Sequence, residues 1–163
     1  SATLIQLAKA YTVFVRDGDV VSPTLFKAAA PAKGKRIFSR ETVMKMRQML
    51  ENTAQAGGTG ALAMVPGYRV GGKTGTANKL DKGRYTNKHQ VSFVGIAPMS
   101  NPRYIVAVTV DEPSVGAYYG GSVAAPVFSD VMGHTLRQLG VLPDAPHTVH
   151  RRNVDPESLV EGL

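Results

Sequence analysis

Leu4, Leu7, Ala8, Tyr11 and Val15 recur at the spacing of one helix face, and Thr3 followed by Gln6 forms a capping-box pattern at its start. The spacing predicts a first helix to about Arg16, ended by Asp17-Gly18. Val20 to Leu25 reads as an extended connection punctuated by Pro23, and a basic loop follows. Ser39 is a suitable N-cap for a second helix, with Glu41 in its first turn and Val43, Met46 and Leu50 on one side; Gly57-Gly58-Thr59-Gly60 ends it. From Tyr68 the period shortens. Tyr68-Arg69-Val70 leads into Lys73 to Ala77, then Val91 to Ala97 and Tyr104 to Val110 follow as apolar, partly alternating runs. These are three expected strands in an antiparallel meander. The last two are joined by a short Asn-Pro turn, and the first two by a longer polar connection from Asn78 to Gln90. Val123, Val127, Phe128, Met132, Leu136 and Leu139 then return to helical spacing, with Pro126 tolerable in a first turn.

Beyond Gly140 the periodicity stops and prolines stand at 143, 146 and 156, so Val141 to Leu163 reads as a flexible tail after a unit spanning residues 1–140. Helices, a meander and a closing helix make the class α+β, an antiparallel sheet packed with helices. A length of 163 residues suits one domain with a real core. The composition, 43% hydrophobic and 19% charged, is that of neither a disordered chain nor a membrane bundle. The net charge of +7 admits anionic partners, but it is spread over loops and the tail, from Lys27, Lys33, Lys35 and Arg36 to Arg151 and Arg152. No aromatic-interleaved basic motif accompanies it, and nucleic acid is not an expected partner. The chain has no cysteine, which excludes disulfides, thiolate metal sites and a cysteine nucleophile.

The sharpest chemical feature is Lys73-Thr74-Gly75-Thr76 on the first expected strand. Lysine supplies a fixed positive charge, and hydroxyls two residues apart on a strand share a face. Glycine between them removes side-chain bulk. Such a surface suits an extended peptide ending in a carboxylate. An ordinary strand end with a threonine pair would look the same, so the triplet alone does not decide.

The surrounding residues do more. Gly67-Tyr68-Arg69-Val70-Gly71-Gly72-Lys73-Thr74-Gly75-Thr76-Ala77 resembles the third active-site motif of penicillin-binding proteins. Gly83 to Lys88, Phe93 to Pro98, Asn101-Pro102-Arg103, Asp111-Glu112-Pro113, Tyr118-Tyr119-Gly120-Gly121 and Ala124 to Phe128 resemble the division-specific class B members. So does Leu4 to Tyr11, upstream. The likeness covers roughly residues 1 to 143. It implies the C-terminal part of a transpeptidase domain of the penicillin-binding-protein and serine β-lactamase type, acting on the D-alanyl-D-alanine end of peptidoglycan stem peptides. A serine acyl-enzyme would form and be resolved by a neighbouring amine, with β-lactams as inhibitors. It further implies that Lys73 supports the serine-lysine machinery and that Thr74 and Thr76 bind the substrate carboxylate. The Thr76 N–H would provide half of an oxyanion hole, Gly75 would let substrate lie on the strand, and Tyr118 and Tyr119 would wall the site.

The family also needs Ser-x-x-Lys and Ser-x-Asn. None of the nine serines has a lysine three residues on or an asparagine two on. Both motifs precede Lys-Thr-Gly in family order, so the expected partner is an N-terminal remainder of the same protein that carries them. Class B membership implies an anchor in that remainder, a place on the periplasmic face of the bacterial inner membrane, and division-complex partners. No metal or cofactor is expected: His147 and His150 lack a third ligand, and His89 and His134 lack a nearby acid. Asp111 and Glu112 are adjacent on a strand and face opposite ways, which suits a strand end better than paired catalysis. A carboxypeptidase or serine β-lactamase fragment uses the same strand motif. A non-enzymatic basic binding module is the reading outside enzymes, and labelling of the complete protein by penicillin separates it.

Overall fold

The structure is a computed structural model, and residues 2–27, 29–114 and 118–146 are described. Helix α1, Leu4–Val15, opens with both halves of the expected capping box: Gln6 N–H donates to Thr3 Oγ1 and Thr3 N–H to Gln6 Oε1. Helix α2, Arg40–Thr53, is capped by the Ser39 hydroxyl as its sequence predicts. The two are tied by Arg47. Its guanidinium donates to the Phe14 and Val15 carbonyls at the end of α1, and Nη2 pairs with Asp17 at 2.7 Å. That satisfies carbonyls which a helix C-terminus leaves without partners.

Strands β3 (Gly71–Asp81), β4 (Arg84–Ala97) and β5 (Tyr104–Asp111) form one antiparallel sheet in that order, the expected meander. Helix α3, Gly120–Gln138, packs across one face through Ala124, Ala125, Phe128, Met132 and Leu136, all fully buried, and the Phe93 and Phe128 rings meet at 4.8 Å. Helix α1 lies on the opposite face, against β5 and β4. A short 3-10 turn at Ala61–Ala63 carries the chain from α2 towards β3.

Helix α3 begins earlier than its apolar spacing suggests, so Pro126 lies inside it and not in its first turn. Three elements differ more from expectation. The polar stretch from Asn78 to Gln90 is not a loop. β3 and β4 run on to a two-residue turn at Lys82-Gly83, both with positive φ (47° and 79°), with Leu80 opposite Tyr85 and Asp81 opposite Arg84. Because the arm projects into solvent, neither face needs apolar residues, and the alternation that marks a strand is missing. A register shift between Asn78 and Leu80 obscures it further. The start of the expected extended connection and the basic loop after it pair in a small ladder, β1 (Asp19–Val20) with β2 (Lys35–Arg36), held by an Arg36–Asp19 pair at 2.8 Å. Two-residue strands leave no periodicity to read.

Third, Val141 to Pro146 folds back onto the domain. Val141 is buried and its carbonyl accepts the Tyr68 hydroxyl at 2.7 Å. The Asp144 carboxylate accepts the N–H groups of Arg69 and Ser100. Arg69 itself donates twice to Glu51 at 2.6 and 2.7 Å, an interaction that raises its pKa further. The rest of the expected tail, His147 to Leu163, lies outside the described residues.

Gly95 shows how closely sheet and helix approach, since a Cβ there would sit 2.8 Å from two ring atoms of Phe128 and 2.9 Å from the Gly71 carbonyl oxygen. Gly95→Ala is expected to cost about 1–3 kcal/mol as overpacking. Chemical denaturation of the complete domain checks this, and an unchanged midpoint would contradict the packing.

Candidate active site

β3 is an edge strand among the described residues, paired with β4 on one side only. Cross-strand register puts Lys73 and Gly75 on the α1 face with Val94 and Ser92. It puts Thr74 and Thr76 on the α3 face with Phe93 and Val91. The backbone phase follows from two contacts. The Gly72 carbonyl accepts the Thr53 hydroxyl, and the Thr74 carbonyl accepts Lys73 Nζ at 3.2 Å, so these carbonyls have partners outside the β3–β4 ladder. Backbone direction alternates along a strand, so Gly72, Thr74, Thr76 and Asn78 turn their N–H and C=O groups to the free edge.

Lys73 is exposed, and its ammonium lies against the Thr74 carbonyl and, at 3.3 Å, Thr74 Oγ1, so the charge sits at the free edge. Thr76 Oγ1 accepts the Gly120 N–H at 3.2 Å, which leaves its own proton available to an incoming acceptor. A Cβ on Gly75 would meet Ser92 Oγ at 2.5 Å, so the missing side chain also admits a neighbour within the sheet. Tyr118 and Tyr119 stand together before α3, rings 4.7 Å apart and both exposed, with their hydroxyls 3.4 Å apart; the contact with Tyr119 raises the Tyr118 pKa.

Two residues beside the motif escaped the sequence. His89, opposite Asn78, stacks on Tyr118 at 4.2 Å and 19°, extending the aromatic wall across the sheet. Gly120 is the first residue of α3, and a Cβ on it would collide with the Ser92 and Gly75 carbonyl oxygens. Glycine there lets the helix start touch the strand. The signal for His89 required recognising the arm; for Gly120 the doublet Gly120-Gly121 at a helix start was a legible sign of close approach.

The model of the penicillin binding protein transpeptidase domain matches residues 1–133. The chain belongs to the penicillin-binding protein transpeptidase family. It is 50% identical over 145 residues to the probable peptidoglycan D,D-transpeptidase PenA of Neisseria flavescens, covering 88% of this chain and 36% of that protein. It is 40% identical over 144 residues to the peptidoglycan D,D-transpeptidase FtsI of Escherichia coli K12, covering 88% and 24%. The chain thus spans about a quarter to a third of the length of these relatives. Among solved structures, the transpeptidase domain of Burkholderia pseudomallei penicillin-binding protein 3 superposes with a TM-score of 0.83 at 50% identity, covering 89% of this chain and 45% of that one. The antiparallel sheet with packed helices is therefore the transpeptidase fold of this family. Among the described residues no helix is long and apolar enough to cross a membrane.

The arm of this transpeptidase fragment is clasped to the end of β5. Lys79 pairs with Asp111 at 2.9 Å and Glu112 at 2.7 Å, and Lys88 reaches Glu112 at 3.0 Å. Asp111 and Glu112 thus hold a strand end, as expected, but they do not face opposite ways: Glu112, past the end of β5 with a φ of 50°, turns its carboxylate to the same ammonium as Asp111. Hydrogen bonds from Lys79 and then Lys88 lower the Glu112 pKa, while those to Glu112 and then Asp111 raise that of Lys79. A lowered carboxyl contributes in full above the ordinary glutamate range and loses its contribution as pH falls through the lowered value. Protection of the amides in residues 78–88, taken relative to their pH-dependent intrinsic exchange rates, should therefore hold from about pH 7 to about pH 5 and fall only below roughly pH 4. Loss of protection already between the first two values would contradict the clasp.

Proposed function

We propose that the protein to which this chain belongs is a peptidoglycan D,D-transpeptidase of septal wall synthesis, and that the chain supplies its Lys-Thr-Gly-Thr strand. The observation that carries this is the free edge of β3, where Thr74 and Thr76 present outward backbone groups beside two hydroxyls and the Lys73 ammonium. A peptide ending in a carboxylate meets donors for that carboxylate and a strand edge for its amides. An N-terminal remainder of the same protein supplies the Ser-x-x-Lys nucleophile and base and the Ser-x-Asn group. Its serine oxygen attacks the penultimate carbonyl carbon as the base takes the hydroxyl proton. The tetrahedral oxyanion is held by the Thr76 N–H and the serine's own N–H. Collapse breaks the amide bond and releases D-alanine with a returned proton. The amine of a neighbouring stem then attacks the ester, restores the serine and leaves a cross-link.

Lys73 acts through its charge on that machinery, and Tyr118, Tyr119 and His89 wall the site. β-Lactams acylate the same serine and offer their carboxylate to Thr74 and Thr76. The remainder anchors the protein at the periplasmic face of the inner membrane, where division proteins recruit it. A D,D-carboxypeptidase or β-lactamase shares this strand, and the acceptor distinguishes them: water for those, an amine for a transpeptidase.

The test is acylation of the full-length protein by a fluorescent penicillin. Thr76→Ala should lower the second-order rate by roughly 1.5–3 kcal/mol equivalent, about ten- to a hundred-fold, the range for hydrogen bonds to a charged group. Lys73→Ala should be worse, since it removes the charge on which the chemistry depends. Equal rates in wild type and both variants would refute these roles. The isolated chain should form no penicilloyl adduct by mass spectrometry, because none of its serines carries the required lysine.

A further inference from the structure

The β3–β4 arm beyond Thr76 has no part in the chemistry above, yet it continues the same free edge. Direction along that edge is constrained by α2. Gly71 and Gly72 are buried, the Thr53 hydroxyl occupies the Gly72 carbonyl, and a Cβ on Gly71 would lie 3.1 Å from the Glu51 backbone nitrogen. α2 therefore closes the edge on the N-terminal side of Lys73. A peptide whose terminal carboxylate sits at Thr74 and Thr76 has open edge only towards Ala77 to Asp81, which it must enter antiparallel to β3. The five residues Ala77 to Asp81 give about 17 Å of strand at ~3.4 Å per residue, room for roughly five residues of ligand.

We infer that this arm is an extended subsite for the upstream part of the peptide, the residues lying farther from its reacting end, and that it favours chains with an aliphatic and a carboxylate-bearing residue there. The inference rests on the proposed function. The arm offers matching chemistry at its tip. Leu80 and Tyr85 are opposite each other and 62% and 77% exposed, an apolar pair with nothing packed over it among the described residues. Lys79 and Lys88 are spent on Asp111 and Glu112, but Lys82 and Arg84 make no ion pair among the described residues, against a single tip acid, Asp81. The clasp at Glu112 holds the arm in line with the site instead of letting it sway. Small ligands that end near Thr76 do not reach the tip, so the arm distinguishes long substrates from short ones.

The experiment compares three probes on the full-length enzyme: a fluorescent penicillin, a blocked D-alanyl-D-alanine dipeptide, and a blocked pentapeptide with the same end and an acidic second residue. Leu80→Ser combined with Tyr85→Ser, and separately Lys82→Glu combined with Arg84→Glu, should raise the pentapeptide KM about three- to ten-fold, the scale of exposed charge and contact effects. kcat, dipeptide turnover and penicillin acylation should hold, and penicillin acylation doubles as the control for folding. In wild type the pentapeptide KM should rise with salt, and in the charge-reversed variant it should not. Equal losses for all three probes, or an unchanged pentapeptide KM in both variants, would overturn the subsite. Failure of the wild-type protein to react with penicillin would instead overturn the transpeptidase reading itself.

Discussion

Backbone phase on β3 is the constraint from which the site follows. The ladder with β4 consumes the inward groups of Gly71, Lys73, Gly75 and Ala77, and what remains on the outside belongs to Gly72, Thr74, Thr76 and Asn78. A one-residue slip would exchange the two sets and reverse every side chain. The charge would then share a face with Phe93, and the hydroxyls would point towards α1. Several contacts oppose such a slip: Phe93 locked against Phe128, Gly95 under the same ring, and Gly72 too close to Phe93 to carry a side chain.

The second anchor is the start of α3. Helix starts carry N–H groups without helical partners, and here one of them finds the Thr76 hydroxyl. Tyr119 provides no side-chain cap, so the strand takes over part of that task. Gly120 makes the approach possible because the carbonyls of Ser92 and Gly75 lie where its Cβ would be. Core and site are thus one packing problem. Through Phe128 and Met132 the same helix that orients the Thr76 hydroxyl also closes the main apolar cluster.

Much of this was legible in the chain. Helical spacing found α1, α2 and α3, the capping box at Thr3 and Gln6 formed as written, and the meander order followed from apolar runs and a short Asn-Pro turn. The motif was placed on its strand, and its resemblance to one family was matched by a family model over most of the chain. What failed to show had physical causes. The arm lacks alternation because water bathes both faces. The clasp of Lys79 with Asp111 joins residues far apart in sequence, as does the stack of His89 on Tyr118. The return of Val141 to Pro146 rests on Asp144 accepting backbone N–H groups, a role that any loop aspartate could have had or lacked.

The plug that α2 sets beside Gly71 and Gly72 bears on which part of a polymer can be read. A groove open at both ends would let a ligand thread through and be engaged anywhere along its length. On the proposed reading, one stopped at a wall admits a terminus, because a chain continuing past the threonines would run into Thr53. On that reading, selectivity for the end of a peptide over its interior then has a steric part, set by where the slot runs out, beside the hydroxyls and charge that hold its carboxylate.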